Sequence, residues 1–483
     1  MAGHWHARRD ERAIFNGRRL GLTNLPLISV IVSHLSMIAG VAMTLVLVPR
    51  MLRQRRSSTS TTAWLMAILL IPWLGIPAYL VFGGRKLNAV LMLKPPLNSA
   101  QPAAALPLGQ AGADQLLQSY GLPRAHSGNR FSLCADGGDI YNRFIETIES
   151  AEKRIHMASF ILHPDPVGLA IIEALARRAR AGVEVRLLLD GVGSFHTSRR
   201  SLDPLIRAGG EVALFLPVRL VHFTRTNMRN HRKMLIADDQ RAVAGGANVA
   251  VEYMGPVPDS KRWRDLSFLL EGPAVRDYAA IFAADWRFVT GERIDPASGP
   301  TPAPGEAVVQ IAPSGPDVPG DPVYAAIVSA AFAARRRLWI VTPYFIPPEG
   351  LAGALALAAH RGVDVRVYVP DPSNHFIADL ARAQPLRDAA AAGVSVIRFI
   401  GGMVHAKIVV VDDALAMVGS VNIDPRSLFL NFEANAIVYG ADPVGAVANW
   451  IETLGDATQK GVPAVSNFRD TLEGVARMFD PLL

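Results

Sequence analysis

Cysteine is almost absent from this chain of 483 residues: Cys134 stands alone. No disulfide can close within the chain and no cysteine-based zinc cluster can form, so the thiol reads as a small buried apolar group. Lysine is scarce too, with seven residues in a chain that carries 49 basic ones. A glycine-rich phosphate loop ending in Gly-Lys-Ser/Thr is missing, so nucleotide energy is not implied. His-Glu-x-x-His is missing as well, and with the lack of any Cys/His cluster this leaves no metal and no cofactor to be expected. Finally, charge of either sign vanishes over two stretches, Leu25 to Val48 and Ala63 to Phe82.

Those two stretches are each long enough to cross a bilayer as a helix. Half of the residues are hydrophobic and mean hydropathy is +0.23, high for a wholly soluble protein. Trp64, Trp73 and Tyr79 in the second run are of the kind found at membrane interfaces, and a signal peptide would be shorter and lack a second span. A two-helix membrane hairpin over residues 1–94 is expected. Arg8, Arg9, Arg12, Arg18 and Arg19 precede it, Arg85, Lys86 and Lys94 follow it, and the loop holds Arg50, Arg53, Arg55 and Arg56. That balance favours a cytoplasmic N-terminus and a cytoplasmic C-terminal bulk. His34 within the first span reads as a polar residue bonded between the helices. A net charge of +7 suits an anionic partner, either lipid headgroups or nucleic acid.

Residues 95–127 are rich in Pro, Ala, Gly and Gln and read as a tether. Beyond them the pattern is α/β. A strand-like run from Arg154 to Leu162 leads to helical spacing over Gly168–Ala181, then to the strand-like Val183–Asp190. After a Pro/Gly-rich linker from about Asp295 to Pro322 the same order returns: Leu338–Ile346, a helix over Leu351–Ala359, then Gly362–Pro370. This duplication points to two α/β halves, 128–296 and 305–483, not to a short-period solenoid. Two such halves can bring equivalent motifs together at one shared cleft.

The motif that repeats is His-x-Lys-x4-Asp. His231, Lys233 and Asp238 carry it once, and His405, Lys407 and Asp412 carry it again. Asn248 and Asn422 each fall 17 residues after their histidine. Alternation along a strand places His and Lys on one face, and an imidazole beside an ammonium suits a phosphoryl substrate. Of two facing histidines, one can act as nucleophile and the other as general acid and then base. The lysines and asparagines would hold the non-bridging phosphate oxygens. Each imidazole needs its second nitrogen held, and Asp265 and Glu433 are candidates, though by spacing alone they read equally well as surface or capping carboxylates. His222 and His375 lack comparable partners and read as ordinary polar residues. The basic stretch Arg219 to Arg229 reads either as a lid over headgroups or as a solvated loop.

With these residues in hand, the chain resembles the phospholipase D superfamily and, within it, bacterial cardiolipin synthases of the phospholipase D type. The resemblance rests on Asn230-His-Arg-Lys233, Gly245-Gly-Ala-Asn248 with Glu252-Tyr253, Thr342-Pro-Tyr-Phe-Ile-Pro347, and Gly419-Ser-Val-Asn-Ile-Asp-Pro-Arg-Ser427 with Asn431-Phe-Glu433. It extends to the hairpin, in Gly75-Ile-Pro-Ala-Tyr-Leu-Val-Phe-Gly83. It implies two α/β/α halves with one site between them and His231 and His405 as the catalytic pair. In that family Asp238 and Asp412 complete the catalytic motifs, Asn248 and Asn422 bind phosphate, and Asp265 and Glu433 orient the histidines. The implied reaction moves a phosphatidyl group between phosphatidylglycerol molecules through a phosphatidyl-histidine, with phospholipids and the membrane as partners and no nucleic acid. His163-Pro-Asp-Pro and Gly401-Gly-Met-Val404 depart from the family pattern and bear on the headgroup pocket. A hydrolase with water as acceptor, a nuclease and a lipid-binding scaffold with a dead site are the competing readings. The route through a CDP-activated lipid is excluded by the lack of an Asp-Gly-x2-Ala-Arg cluster.

Overall fold

The computed structural model describes residues 34, 38, 40–49, 51, 58–82, 94, 111–217, 228–295, 299–463, 465, 469 and 473. The chain divides into two units, 1–80 and 81–483.

In the first unit residues 40–49 are helical, and helices Ser58–Leu70 and Pro72–Phe82 follow. The second apolar run is therefore two helices of 13 and 11 residues, parted at Ile71. Pro72 explains the break, because it has no N–H to give the preceding turn and its ring blocks helix continuation. Gly75 sits so close to the first helix that a Cβ there would lie 2.2 Å from the Ala67 carbonyl oxygen. Leu47, Met51, Ile68, Ile76 and Tyr79 are buried together, and Trp64 meets Tyr79 edge-on at 5.5 Å. Among the described residues no helix is long and apolar enough to cross a membrane. Residues 25–33 of the first run lie outside the described residues.

The second unit is built on one sheet. Its first half supplies β1 (His126–Cys134), β2 (Arg154–Ser159), β3 (Glu184–Asp190), β4 (Glu211–Phe215), β5 (Met234–Ala237), β6 (Arg241–Gly245) and β7 (Ser267–Glu271). Its second half supplies β8 (Ala307–Ser314), β9 (Arg337–Val341), β10 (Asp364–Pro370), β11 (Ser395–Phe399), β12 (Ile408–Val411), β13 (Leu415–Gly419), β14 (Glu433–Tyr439) and β15 (Thr458–Lys460). The order across the 15 strands is β15-β11-β10-β9-β12-β13-β14-β8-β1-β7-β6-β5-β2-β3-β4. From the β8–β1 seam outwards the two halves repeat each other strand for strand, with β15 as an extra edge. β2-β3-β4 and β9-β10-β11 pair in parallel, and the other neighbours run antiparallel. The motif strands Met234–Ala237 and Ile408–Val411 are buried at every position, as strands covered on both faces must be.

Helices cover both faces. Val275–Thr290 and Ala441–Glu452 lie on one side, where Phe282, Trp286, Val447 and Trp450 join residues of both halves in a single core. Separate cores fill the opposite side, one under Pro166–Arg180 and one under Pro322–Ala333. Two expected connections turn out to be structure. Within 95–127, read above as a tether, Ala111–Ser119 is a helix whose Leu117 is buried in the second-half core, and Asp114 accepts a hydrogen bond from the Ala125 amide at 3.0 Å. Within the expected 295–322 linker runs β8, whose Val309 and Ile311 are fully buried and which pairs with β1 and β14.

Candidate active site

The motif residues reach the site by a backbone exchange between the halves. The His231 amide donates to the Phe432 carbonyl at 2.9 Å, and the His405 amide donates to the Arg264 carbonyl at 2.7 Å. Each contact is part of a short parallel bridge, Asn230 with Phe432 and Arg264 with Val404. The residue after each partner is the carboxylate. Glu433 Oε2 therefore lies 2.9 Å from His231 Nδ1, and Asp265 Oδ2 lies 2.6 Å from His405 Nδ1. Each histidine is held by the other half. Gly246 makes room for this, since a Cβ there would stand 2.2 Å from Asp265 Oδ1.

A carboxylate on Nδ1 fixes the tautomer with Nδ1 protonated and leaves Nε2 with its lone pair. Aromatic rings stand against both imidazoles: Phe160 edge-on to His231 at 4.9 Å, Tyr253 edge-on to His405 at 5.0 Å, and Trp263 at 5.6 Å from His405. Lys233 Nζ donates to the His231 carbonyl at 2.7 Å, and Lys407 Nζ lies 2.7 Å from His405 Nδ1. Asn248 Oδ1 accepts from the Ile161 amide at 3.3 Å, whereas Asn422 donates to Ser427 Oγ at 3.2 Å and its own oxygen has no partner among the described residues.

Burial sets the electrostatics. It lowers the His405 imidazole to about 3, with the Lys407 charge adding to it and Asp265 opposing, and it lowers His231 in the same direction. Burial likewise brings Lys233 down to about 7 against the pull of Glu433, and Lys407 down to about 8 against Asp265. Burial would raise Asp265, but the Lys407 and His405 charges overcome it and hold the carboxyl below its usual range. The site thus keeps two neutral imidazoles beside ammonium groups that are ready to give up their protons. An arriving phosphate anion reverses both tendencies.

Of the ten residues expected here, eight converge and two do not. Asp238 accepts hydrogen bonds from the amides of Glu152, Lys153 and Arg154 at 2.8, 2.8 and 2.9 Å. Asp412 accepts from Arg335, Arg336 and Arg337 at 3.1, 2.7 and 3.0 Å. Five residues of extended chain carry each carboxylate about 16 Å from its lysine, so the catalytic assignment of Asp238 and Asp412 is corrected to a structural one. His375 lines the cleft, and its ring lies 5.8 Å from that of Tyr344. His222 and residues 218–227 of the basic stretch lie outside the described residues, while Arg229 lines the cleft.

The cleft has a volume of about 610 Å³. Tyr344, Asn374, Asp424 and Arg426 also line it, and spacing did not single them out. Burial raises Asp424 to about 6. Behind the motif, Arg232 is fully buried and donates to Asp285 at 2.7 Å, to Asp317 at 3.0 Å and to the Glu433 carbonyl at 3.0 Å. Lys94 closes this cluster on Asp317 at 2.5 Å and on Asp285. The sequence carried a signal for Asp285: it sits in helical register with the buried Tyr278, Ile281 and Phe282, an acid on an apolar face. Among the described residues no cluster of His, Cys, Asp and Glu is set to hold a metal ion.

Two family models match the chain. "Cardiolipin synthase, PLD-like domain" matches residues 144–286 and 327–454, and "Phospholipase_D-nuclease N-terminal" matches 42–84. A cardiolipin synthase of Halalkalibacterium halodurans is 32% identical over 453 residues, 89% of this chain and 90% of that protein. Cardiolipin synthase A of Pseudomonas putida is 32% identical over 450 residues, 89% of this chain and 94% of that one. Among solved structures, phosphatidylserine synthase of Haemophilus influenzae superposes with a TM-score of 0.56 at 16% identity, over 77% of this chain and 98% of that one. That likeness is one of fold.

Proposed function

The chain belongs to the phospholipase D-like cardiolipin synthase family, and from that premise we propose that it is a phosphatidyltransferase that makes cardiolipin and glycerol from two phosphatidylglycerol molecules. The observation that carries the reading is the crossed pair of histidines, each with its Nδ1 on a carboxylate of the other half and both lining one cleft.

Lys233, Lys407, Asn248 and Asn422 bind the donor phosphate, which lies between the two Nε2 atoms. His231 Nε2 attacks phosphorus; the N–P bond forms, the bond from phosphorus to the glycerol oxygen breaks, and His405, which takes up a proton at Nε2 as the phosphate anion binds, gives that proton to the departing oxygen. Glu433 stabilises the positive charge that develops on His231. In the second step His405 takes the proton from a hydroxyl of the acceptor lipid, the new O–P bond forms and the N–P bond breaks. One phosphodiester replaces another, so no external energy source is required.

The N-terminal apolar runs, 25–48 and 63–82, anchor the protein in the bacterial cell membrane with the catalytic unit on the cytoplasmic side. Exposed Leu45, Leu70, Trp73 and Leu74 on the helices there support this reading, since such side chains suit a lipid environment. Product analysis tests the whole proposal. The detergent-purified chain given phosphatidylglycerol alone is expected to yield cardiolipin and free glycerol, with neither formed by His231→Ala. Phosphatidic acid as the only lipid product would make water the acceptor and the protein a hydrolase. Phosphohistidine trapped on His405 alone would reverse the roles of the two histidines.

A further inference from the structure

The pseudo-two-fold axis equates the reacting groups but not their surroundings. Phe432 donates its amide to the Arg229 carbonyl at 2.9 Å, and Asn431 donates to the Arg426 carbonyl at 2.9 Å. On the other side Arg264 donates to Met403 at 2.8 Å, and Trp263 donates to Glu252 at 2.7 Å. The same backbone ladder therefore presents Arg229, Arg426 and Asn431 beside His231 but Met403, Glu252 and Trp263 beside His405. All three members of the first set line the cleft, and none of the second set does.

The polar side has the properties of an anion site. Arg229 is 3% exposed. Burial lowers its guanidinium from the ordinary value; burial lowers Arg426 too, with Asp424 opposing and the Arg229 charge adding. Two guanidinium groups close enough to repel are brought together where an anion can bridge them. Two carboxylates share this side, and Asp190 Oδ1 stands 3.5 Å from Arg229 Nη1, but both acids are also held by backbone amides. Asp190 takes the amides of Val192, Gly193 and Asn230 at 2.9, 3.0 and 2.9 Å, and Asp424 takes the Ser427 amide at 2.7 Å. Burial raises both acids, Asp424 to about 6, which weakens their hold on the arginine charge. Asn431 adds an independent sign. Its Oδ1 is buried with no hydrogen-bond partner among the described residues, although its nitrogen reaches Glu433 at 3.4 Å. A buried acceptor without a donor costs stability unless something fills it.

We propose that Arg229, Arg426 and Asn431 form a second subsite, distinct from the reacting centre, that takes the glycerophosphate headgroup of the acceptor lipid. The proposal rests on the transferase reading above. The donor's phosphate is held at the histidines, and its leaving glycerol is uncharged, so the acceptor's own phosphodiester is the one further anion in the reaction. The arginines hold that anion, Asn431 Oδ1 accepts from the headgroup's secondary hydroxyl, and the terminal hydroxyl faces the phosphorus of the phosphatidyl-histidine. Its oxygen bonds to phosphorus, the N–P bond breaks and the hydroxyl proton passes to His405. Water and free glycerol lack the anion and gain nothing from the two arginines, which is how a cleft open to solvent favours a lipid acceptor.

The experiment gives the full chain in detergent phosphatidylglycerol plus isotope-labelled glycerol and follows two products: cardiolipin, and labelled phosphatidylglycerol from re-entry of glycerol. Both pass through the same donor step, and only the first needs the anion subsite. Arg426→Gln is expected to lower the ratio of cardiolipin to exchange about tenfold or more and raise the KM for acceptor lipid, with Arg426→Lys restoring part of it. Asn431→Leu, which removes no charge, is expected to lower both products, because free glycerol offers Asn431 the same secondary hydroxyl, and to move the ratio little. An equal fall in both products in Arg426→Gln and Arg426→Lys alike, with melting temperatures unchanged, would overturn the subsite while leaving the transferase reading intact. Phosphatidic acid alone from the unaltered chain would remove the transferase reading and the subsite with it.

Discussion

Glu433 and Asp238 are both acids tied to a catalytic motif, and their neighbours give them opposite roles. Glu433 holds an imidazole, while Asp238 holds three backbone amides. Replacing Glu433 by Gln keeps the shape but removes the charge that stabilises an imidazolium and selects its tautomer. A loss of roughly 10³–10⁴ in kcat is expected with little change in melting temperature, measured on purified protein. Lysine ionisation makes a second prediction at this scale. Lys233 and Lys407, at about 7 and 8, are cations below those values and neutral above them, with Glu433, Asp265 and Asp424 as the acids facing them. Inhibition by a soluble phosphodiester should therefore weaken as pH rises from 7 to 9. Inhibition that stayed level over that range would mean that the lysines do not bind the anion. Six of the eight converging residues were legible because type and spacing repeat; Asp265 and Glu433, 34 and 28 residues after the histidines of their own halves, were assigned through the family resemblance. Asp238 and Asp412 were misread because spacing does not tell which end of a four-residue strand faces the cleft.

At the scale of elements, those two aspartates fasten the start of one strand to the end of another. Asp238 ties the entry of β2 to the end of β5, and Asp412 does the same for β9 and β12. Both adopt a positive φ, +55° and +49°, which Asp tolerates better than most residues. Asp412→Ala removes the acceptor of three amides, that of Arg337 half-buried and those of Arg335 and Arg336 exposed, and should cost about 1 kcal/mol, read as a lower melting temperature, while the surviving folded protein keeps its kcat. A kcat lost in step with His405→Ala would return Asp412 to the chemistry. Other elements hid in composition. Helix Ala111–Ser119 and β8 lie in stretches whose Pro and Gly residues signal linkers, yet Leu117, Val309 and Ile311 bury their side chains there. The helical break at Ile71 was readable from Pro72, but the uncharged length of the run outweighed it.

At the scale of the molecule, the two halves share one core and one set of crossed contacts, so neither half carries a complete site. Duplication was legible in the sequence because each half repeats its strand order. The cluster behind the motif was not, since its members are far apart in the chain and only folding collects them. Lys94, Arg232, Asp285 and Asp317 balance two cations against two anions, and all four are buried. Removing one partner leaves a buried charge uncompensated, which costs about 3–5 kcal/mol. Lys94→Met should therefore lower the melting temperature sharply. Adding Asp317→Asn to that variant restores the balance, and the double variant should be more stable than Lys94→Met alone, a coupling that measures the pair. Acidity gives the same cluster a sign. Burial raises Asp317, but Arg232 and Lys94 overcome it and hold the carboxyl below its usual value of 3.8. Its contribution is present above that value and is lost as pH falls through the lower folded one. Without Lys94 the carboxyl titrates higher, so acid unfolding of Lys94→Met should begin at a higher pH than in the unaltered chain. If both unfold at the same pH, Lys94 does not belong to the cluster's charge balance, and the helix carrying Asp285 meets Arg232 alone.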